Sequence, residues 1–211
     1  YPKGMLVANY FEFLGEISKY FVSIGIAGTN GKSSTTALMI HAASKSLSDC
    51  AGWILGALVP SLWNQSYYIN PTHKSFIAKV LHHICTGKWL DTTQLKKYLF
   101  LIEACEYSRH FLHLDLDYTI ITNIELDHTD YYKDEADYID AFTSLIDRTK
   151  RKVFVADDIT VRSDDKVQKI KTQSQNISHL SNHNDTNGSL VQACLETVKP
   201  NTIDRKTARS N

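Results

Sequence analysis

Apolar positions in this chain follow two rhythms that replace one another along its length, and the alternation predicts a layered fold. Residues Pro2 to Lys19 place Met5, Leu6, Tyr10, Phe13, Leu14 and Ile17 near the helical period, so a leading helix is expected over 1–19. Tyr20 to Ala27 reads as a strand, Ser33 to Ser46 as a helix, and Trp53 to Gly56 as a short strand, with a loop over Leu58 to Pro71. Over His73 to Lys97, Ile77, Val80, Leu81 and Ile84 keep helical spacing, while Gly87 and the Asp91-Thr92-Thr93 cap signal interrupt it. One or two peripheral helices, an insertion over 73–97, are expected there. Tyr98 to Ile102 and Tyr118 to Thr122 are continuous apolar runs of the kind that parallel strands buried on both faces require. Glu135 to Thr149 predicts an amphipathic helix and Lys152 to Ala156 a further strand. The stretch Asp157 to Asn187 is polar, a helix is expected over Ser189 to Thr197, and the last dozen residues read as a linker. Strands alternating with helices predict an α/β fold with a doubly wound, mostly parallel sheet.

Between the first strand and the second helix lies Gly25-Ile26-Ala27-Gly28-Thr29-Asn30-Gly31-Lys32-Ser33-Ser34. Glycines let backbone N–H groups approach an anion, and a helix that starts there offers its positive end. Lys32 supplies an ammonium for the β- and γ-phosphates, and the Ser33 hydroxyl is placed to ligate Mg²⁺. The spacing G-x-x-x-x-G-K-[ST] would put glycine where Ile26 stands, so this is a variant phosphate loop.

Composition narrows the choice of partner. The 211 residues carry 23 basic and 23 acidic side chains, so no electrostatic footprint for nucleic acid or an anionic membrane is present. With 43% hydrophobic residues the chain has material for one good-sized core. The four cysteines, Cys50, Cys85, Cys105 and Cys194, include no C-x-x-C pair and read as free thiols. The longest apolar runs fall far short of the roughly 20 residues that a membrane span needs, and the first residues do not form a signal peptide. A cytoplasmic location is expected.

In an open α/β sheet, ligands sit beyond the carboxyl ends of the strands. Three such ends carry polar residues here: Gly28 to Ser33, Glu103-Ala104-Cys105-Glu106, and Asn123-Ile124-Glu125-Leu126-Asp127-His128. A carboxylate and an imidazole brought near Ser33 would hold Mg²⁺ against phosphate oxygens, although imidazole is an uncommon partner for that ion.

These motifs resemble the Mur ligase family, whose central domain has a GTNGK[ST] loop, an acidic residue after a strand and a TN-x-x-x-DH segment. They stand here as Gly28 to Ser33, Glu103, and Thr122 to His128. Ile102 to Tyr107, Arg109 to Leu112 and Thr122 to Tyr132 look most like the branch that joins L-alanine to UDP-N-acetylmuramate. The absence of lysine from Ala141-Phe142-Thr143, where some members carry a carbamylated lysine, agrees with that branch. The family's H-N-x-x-N element appears as His183 to Asn187, although the glycine that usually precedes it is replaced by Ser181-Asn182. The resemblance implies a central ATP-binding domain over 1–198, with 199–211 leading towards a C-terminal domain that the chain lacks. It implies ATP and Mg²⁺ as cofactors, with Gly28, Thr29, Asn30, Gly31, Lys32, Ser33, Ser34, His183 and Asn187 at the nucleotide. Ser33, Glu103 and His128 would hold the metal, and Lys32, Glu103 and His128 would serve catalysis. Two alternatives stand beside it: a folylpolyglutamate synthase-like ligase, whose loop commonly reads GTNGKGS, and a nucleotide-binding module without chemistry of its own.

Overall fold

The structure, a computed structural model, describes residues 8–46, 50–62, 64–90, 96–162, 164–171 and 182–207. The elements in chain order are α1 (Tyr10–Ser18), β1 (Val22–Ala27), α2 (Lys32–Ser46), β2 (Cys50–Val59), β3 (Gln65–Ile69), α3 (Lys74–Thr86), β4 (Leu99–Glu103), β5 (Tyr118–Ile121), α4 (Glu135–Arg148), β6 (Lys152–Ala156), β7 (Val167–Ile170) and α5 (Asn182–Thr207). Among the described residues, seven strands form one sheet in the order β3-β2-β4-β1-β5-β6-β7, parallel except for the antiparallel β2–β3 pair. This is the α/β sheet that the alternating pattern predicts.

Because helices cover both faces, the central strands are apolar throughout, and successive residues feed opposite cores. From β1, Ile24 and Ile26 join Met39 and Ile40 of α2 and Leu190 and Cys194 of α5. On the other face, Ala27, Ile102 and Ile121 pack with Leu14 of α1, Val80 of α3 and the Tyr138, Phe142 and Ile146 stripe of α4. Two helix starts, those of α1 and α4, carry side-chain caps. Asn9 and Glu12 cap each other's backbone N–H groups at α1, and the Asp134 side chain accepts from the Asp137 N–H at α4.

Several expectations are corrected. The leading helix is only Tyr10–Ser18, and residues 1–7 lie outside the described ones. The short strand at Trp53 to Gly56 extends over Cys50–Val59, and the loop expected over Leu58 to Pro71 contains β3. That strand sits on the sheet edge with Gln65, Tyr67 and Ile69 exposed, so half of its apolar signal is missing. The polar stretch Asp157 to Asn187 contains β7, the opposite edge, which pairs Val153 with Val167 through Ala156 with Ile170. The last helix runs from Asn182 to Thr207 rather than from Ser189 to Thr197. It therefore occupies most of the expected linker over 199–211, of which 208–211 lie outside the described residues. Among the described residues of 73–97 there is one α-helix, α3, which is less peripheral than expected, because Val80 is fully buried and Phe76 meets Phe21 edge to face. Residues 91–95, where the cap signal falls, lie outside the described ones.

No helix among the described residues is long and apolar enough to cross a membrane. The four cysteines are free thiols, as their spacing suggests. Burial pushes the Cys50 thiol up to about 11 and that of Cys194 higher still, whereas Cys85 is exposed. Alkylation by iodoacetamide at pH 8, followed by peptide mass mapping, is therefore expected to label Cys85 first. Cys50 and Cys194 should react only on unfolding, since the thiolate is the nucleophile.

Candidate functional site

Parallel pairing aligns the carboxyl ends of three neighbouring strands. β1 pairs Ile26 with Glu103 of β4 and Ala27 with Ile121 of β5, so the Gly28–Gly31 loop leaves the sheet between those two strand ends. The loop is then tied to the segment that leaves β5. The Thr29 N–H donates to Asn123 O at 3.3 Å, and the Asn30 N–H donates to Asn123 Oδ1 at 2.8 Å. The Thr29 hydroxyl donates to Glu125 O at 2.7 Å and accepts from the Glu125 N–H at 3.0 Å. With its own hydrogen spent on Glu125, Thr29 accepts from the Tyr138 hydroxyl, 2.8 Å away on α4. Burial raises the Tyr138 pKa, which keeps that donor protonated.

Lys32 opens α2 and turns its ammonium back over the loop. Nζ donates to Gly28 O at 2.7 Å, to Thr29 O at 3.0 Å and to Glu106 Oε1 at 2.8 Å. One residue on, the Ser33 hydroxyl donates to Glu103 Oε1 at 3.1 Å, while the other Glu103 oxygen accepts the Gly56 N–H at 2.8 Å. Ser34 is exposed on the first turn of α2. Asn187, on the first turns of α5, is buried with its amide nitrogen beside Gly31, so α5 reaches the loop from the opposite face to α4. The side chain of His183 lies outside the described ones.

The Nε2 of His128 lies 3.2 Å from Glu106 Oε1, so the carboxylate it meets in the structure is Glu106. The His128 backbone is left-handed at φ 53°, and its carbonyl accepts from both Tyr131 and Tyr132 N–H groups, which holds this costly conformation in place.

Glu106 is the site residue that motif reading passes over. Its side chain is only 2% exposed, and Oε1 takes both Lys32 and His128 while Oε2 has no hydrogen-bond partner. Its carbonyl accepts from the Tyr132 hydroxyl and the Arg109 N–H. Arg109, left-handed at φ 57°, ties this turn to Asp137 Oδ1 at 2.6 Å and Asp140 Oδ2 at 2.8 Å on α4. The Lys133 N–H and the Arg109 guanidinium hold the Asp137 carboxyl below its ordinary value. A second carboxylate three residues past the strand-end Glu103 is the signal that could have marked Glu106 in the sequence.

The parallel sheet, the glycine-containing loop and the helix after it define an α/β domain with a phosphate-loop type of site. A profile of the Mur ligase middle domain matches residues 26–201, and the chain belongs to the Mur ligase family. It is 37% identical over 170 residues to the UDP-N-acetylmuramate–L-alanine ligase of Lactobacillus helveticus, covering 81% of this chain and 30% of that protein. To the ligase of the same name from Lactiplantibacillus plantarum it is 36% identical over 160 residues, 75% of this chain and 29% of that one. The chain thus spans about 30% of the length of these relatives. Among solved structures, the UDP-N-acetylmuramate-alanine ligase of Thermotoga maritima superposes with a TM-score of 0.57 at 18% identity, covering 90% of this chain and 44% of that one. A bifunctional folylpolyglutamate synthase/dihydrofolate synthase from Yersinia pestis, complexed with AMPPNP and Mn, gives 0.52 at 16% identity, covering 88% of this chain and 56% of that one. These two likenesses concern the fold.

Gly28 tests how tightly the loop is held. Its φ is +135°, and a Cβ there would lie 2.1 Å from Thr122 Oγ1, the hydroxyl that donates to Asn30 O at 2.6 Å. Gly28→Ala is expected to destabilise the fold by about 2–4 kcal/mol through backbone strain and overpacking. Urea denaturation measures this, and a midpoint equal to that of the parent would contradict the tight packing.

Proposed function

We propose that this chain handles ATP for an amide-forming ligase that joins L-alanine to UDP-N-acetylmuramate. The observation that carries the reading is the meeting of Lys32, Ser33, Glu103, Glu106 and His128 where β1, β4 and β5 end. Phosphoryl transfer is mostly positioning and charge stabilisation, and these are the groups it needs. In the proposed reaction the UDP-N-acetylmuramate carboxylate attacks the γ-phosphorus of ATP and releases ADP, leaving an acyl phosphate. The amine of L-alanine then attacks the acyl carbon, phosphate departs, and the amine proton passes to solvent or a base.

Lys32 and the loop N–H groups would stabilise charge on the transferred phosphoryl group. Asn187, beside Gly31, would contact the nucleotide, and His183 is assigned the same neighbourhood by the family motif alone. Mg²⁺ would screen the phosphates and hold their oxygens in line for transfer. The donors suit it: Ser33 Oγ and the Glu103 carboxylate are adjacent oxygens, the ligand type that Mg²⁺ prefers. No three His, Cys, Asp or Glu side chains form a ready metal cage among the described residues. Mg²⁺ needs none, since it is commonly held by one or two carboxylates together with substrate phosphates and water. His128, bonded to Glu106, fits better as a group that orients this carboxylate than as a direct ligand.

The relatives named UDP-N-acetylmuramate–L-alanine ligase favour UDP-N-acetylmuramate and L-alanine over folate and glutamate, and the Ser33-Ser34 pair departs from the GTNGKGS loop in the same direction. Calorimetry on the chain with Mg-ATP tests the nucleotide reading, and binding is expected. Lys32→Ala should weaken it on the order of a hundredfold, since removing one partner of a buried charge pair costs about 2–5 kcal/mol. An unaltered chain that fails to bind Mg-ATP, or a variant that binds as tightly as the parent, would overturn the assignment.

A further inference from the structure

We propose that Glu106 makes the loop selective for polyphosphate complexed with a divalent cation, by repelling the metal-free anion. The inference rests on the nucleotide reading above. An ammonium has three N–H donors, and all three of those on Lys32 are engaged, by Gly28 O, Thr29 O and Glu106 Oε1. A phosphate oxygen reaches Lys32 only by displacing one of these acceptors or sharing a donor with it. Two acceptors on one ammonium lie roughly 5 Å apart, so the incoming phosphate meets the Glu106 carboxylate at about that distance.

Three features make the encounter unfavourable. The carboxylate is nearly dry at 2% exposure, so solvent screens it poorly. Its Oε2 has no hydrogen-bond partner, so no donor neutralises that oxygen. The cation that balances Glu106 is the one that the phosphate takes. Two anions crowded into such a place are tolerated when a further cation stands between them. The oxygen donors for that cation, Ser33 Oγ and Glu103 Oε1, sit beside Lys32 on α2 and at the end of β4. Glu103 has its own neutral partners in Ser33 and the Gly56 N–H, which leaves Glu106 as the acid coupled to the lysine.

Calorimetry with ATP and with inorganic triphosphate, each in Mg²⁺ and in EDTA, tests the proposal. The unaltered chain is expected to bind both ligands at least about tenfold more tightly with Mg²⁺. In Glu106→Gln, metal-free affinity should rise about tenfold relative to Mg²⁺-loaded affinity, so the metal advantage collapses. Glu106→Met, which removes the charge at similar volume, should behave in the same way, and Glu106→Asp should keep the metal advantage. Thermal melting of each variant shows whether it is folded. The proposal is overturned if Glu106→Gln loses affinity equally in Mg²⁺ and EDTA at an unchanged melting temperature. It is equally overturned if the unaltered chain binds triphosphate as well in EDTA as in Mg²⁺, a comparison that needs no variant. Failure of the unaltered chain to bind Mg-ATP removes the nucleotide reading and this inference with it, whereas intact Mg-ATP binding without metal selectivity removes this inference alone.

Discussion

The register of β4, β1 and β5 is the constraint on which the rest of the site depends. Pairing Ile26 with Glu103 and Ala27 with Ile121 brings three strand ends level, so residues about 70 to 95 positions apart in sequence come within hydrogen-bonding distance. A slip of one residue would turn Glu103 to the other face of the sheet and separate it from Ser33. That slip is strongly disfavoured, because it would also exchange the two hydrophobic cores that flank the sheet. The burial of Ile24, Ile26, Leu101 and Ile120 thus fixes the positions of the charged groups at and beyond the strand ends.

The polar residues at these strand ends divide by the strength of their anchoring. Glu106 and the partly buried Lys32 form an ion pair, whose desolvation is offset by the further hydrogen bonds that Lys32 donates to the loop carbonyls and by the contact of His128 with Glu106. Glu103 instead sits at the strand terminus with neutral partners, one a hydroxyl and one a backbone amide. Two acids three residues apart therefore have distinct surroundings, and the three-residue spacing does not by itself say which is which.

Legibility in the sequence followed burial. Strands apolar on both faces were readable to within about two residues, as Tyr98 to Ile102 against Leu99–Glu103 shows. The edge strands β3 and β7 were not, because one face of each meets solvent and their composition is that of a loop. The early start of α5 was hidden by its polar opening residues, since the helical period becomes visible only from Leu190, Val191, Cys194 and Leu195. Within the site, glycine, lysine and serine in the loop carry their chemistry in their spacing, the strand-end rule marked the segments that hold Glu103, Glu106 and His128, and the family resemblance assigned Glu103 and His128 to the metal. The resemblance assigned Glu103 and His128 to one metal ion, and in the structure the carboxylate that the imidazole meets is Glu106. Which of two nearby carboxylates an imidazole meets depends on a left-handed turn at Ser108 and Arg109, whose side-chain anchors lie on a helix some thirty residues later.

The loop is tied to α4 through the Tyr138 hydroxyl, and Asn187 of α5 lies beside it from the other face of the sheet. A phosphate cradle braced in this way is stiff before its guest arrives, so association forfeits little chain freedom and more of the contact energy appears as affinity. The same tie links α4 to the loop, so a tilt of α4 would be felt at Thr29 as a change in the aperture of the turn.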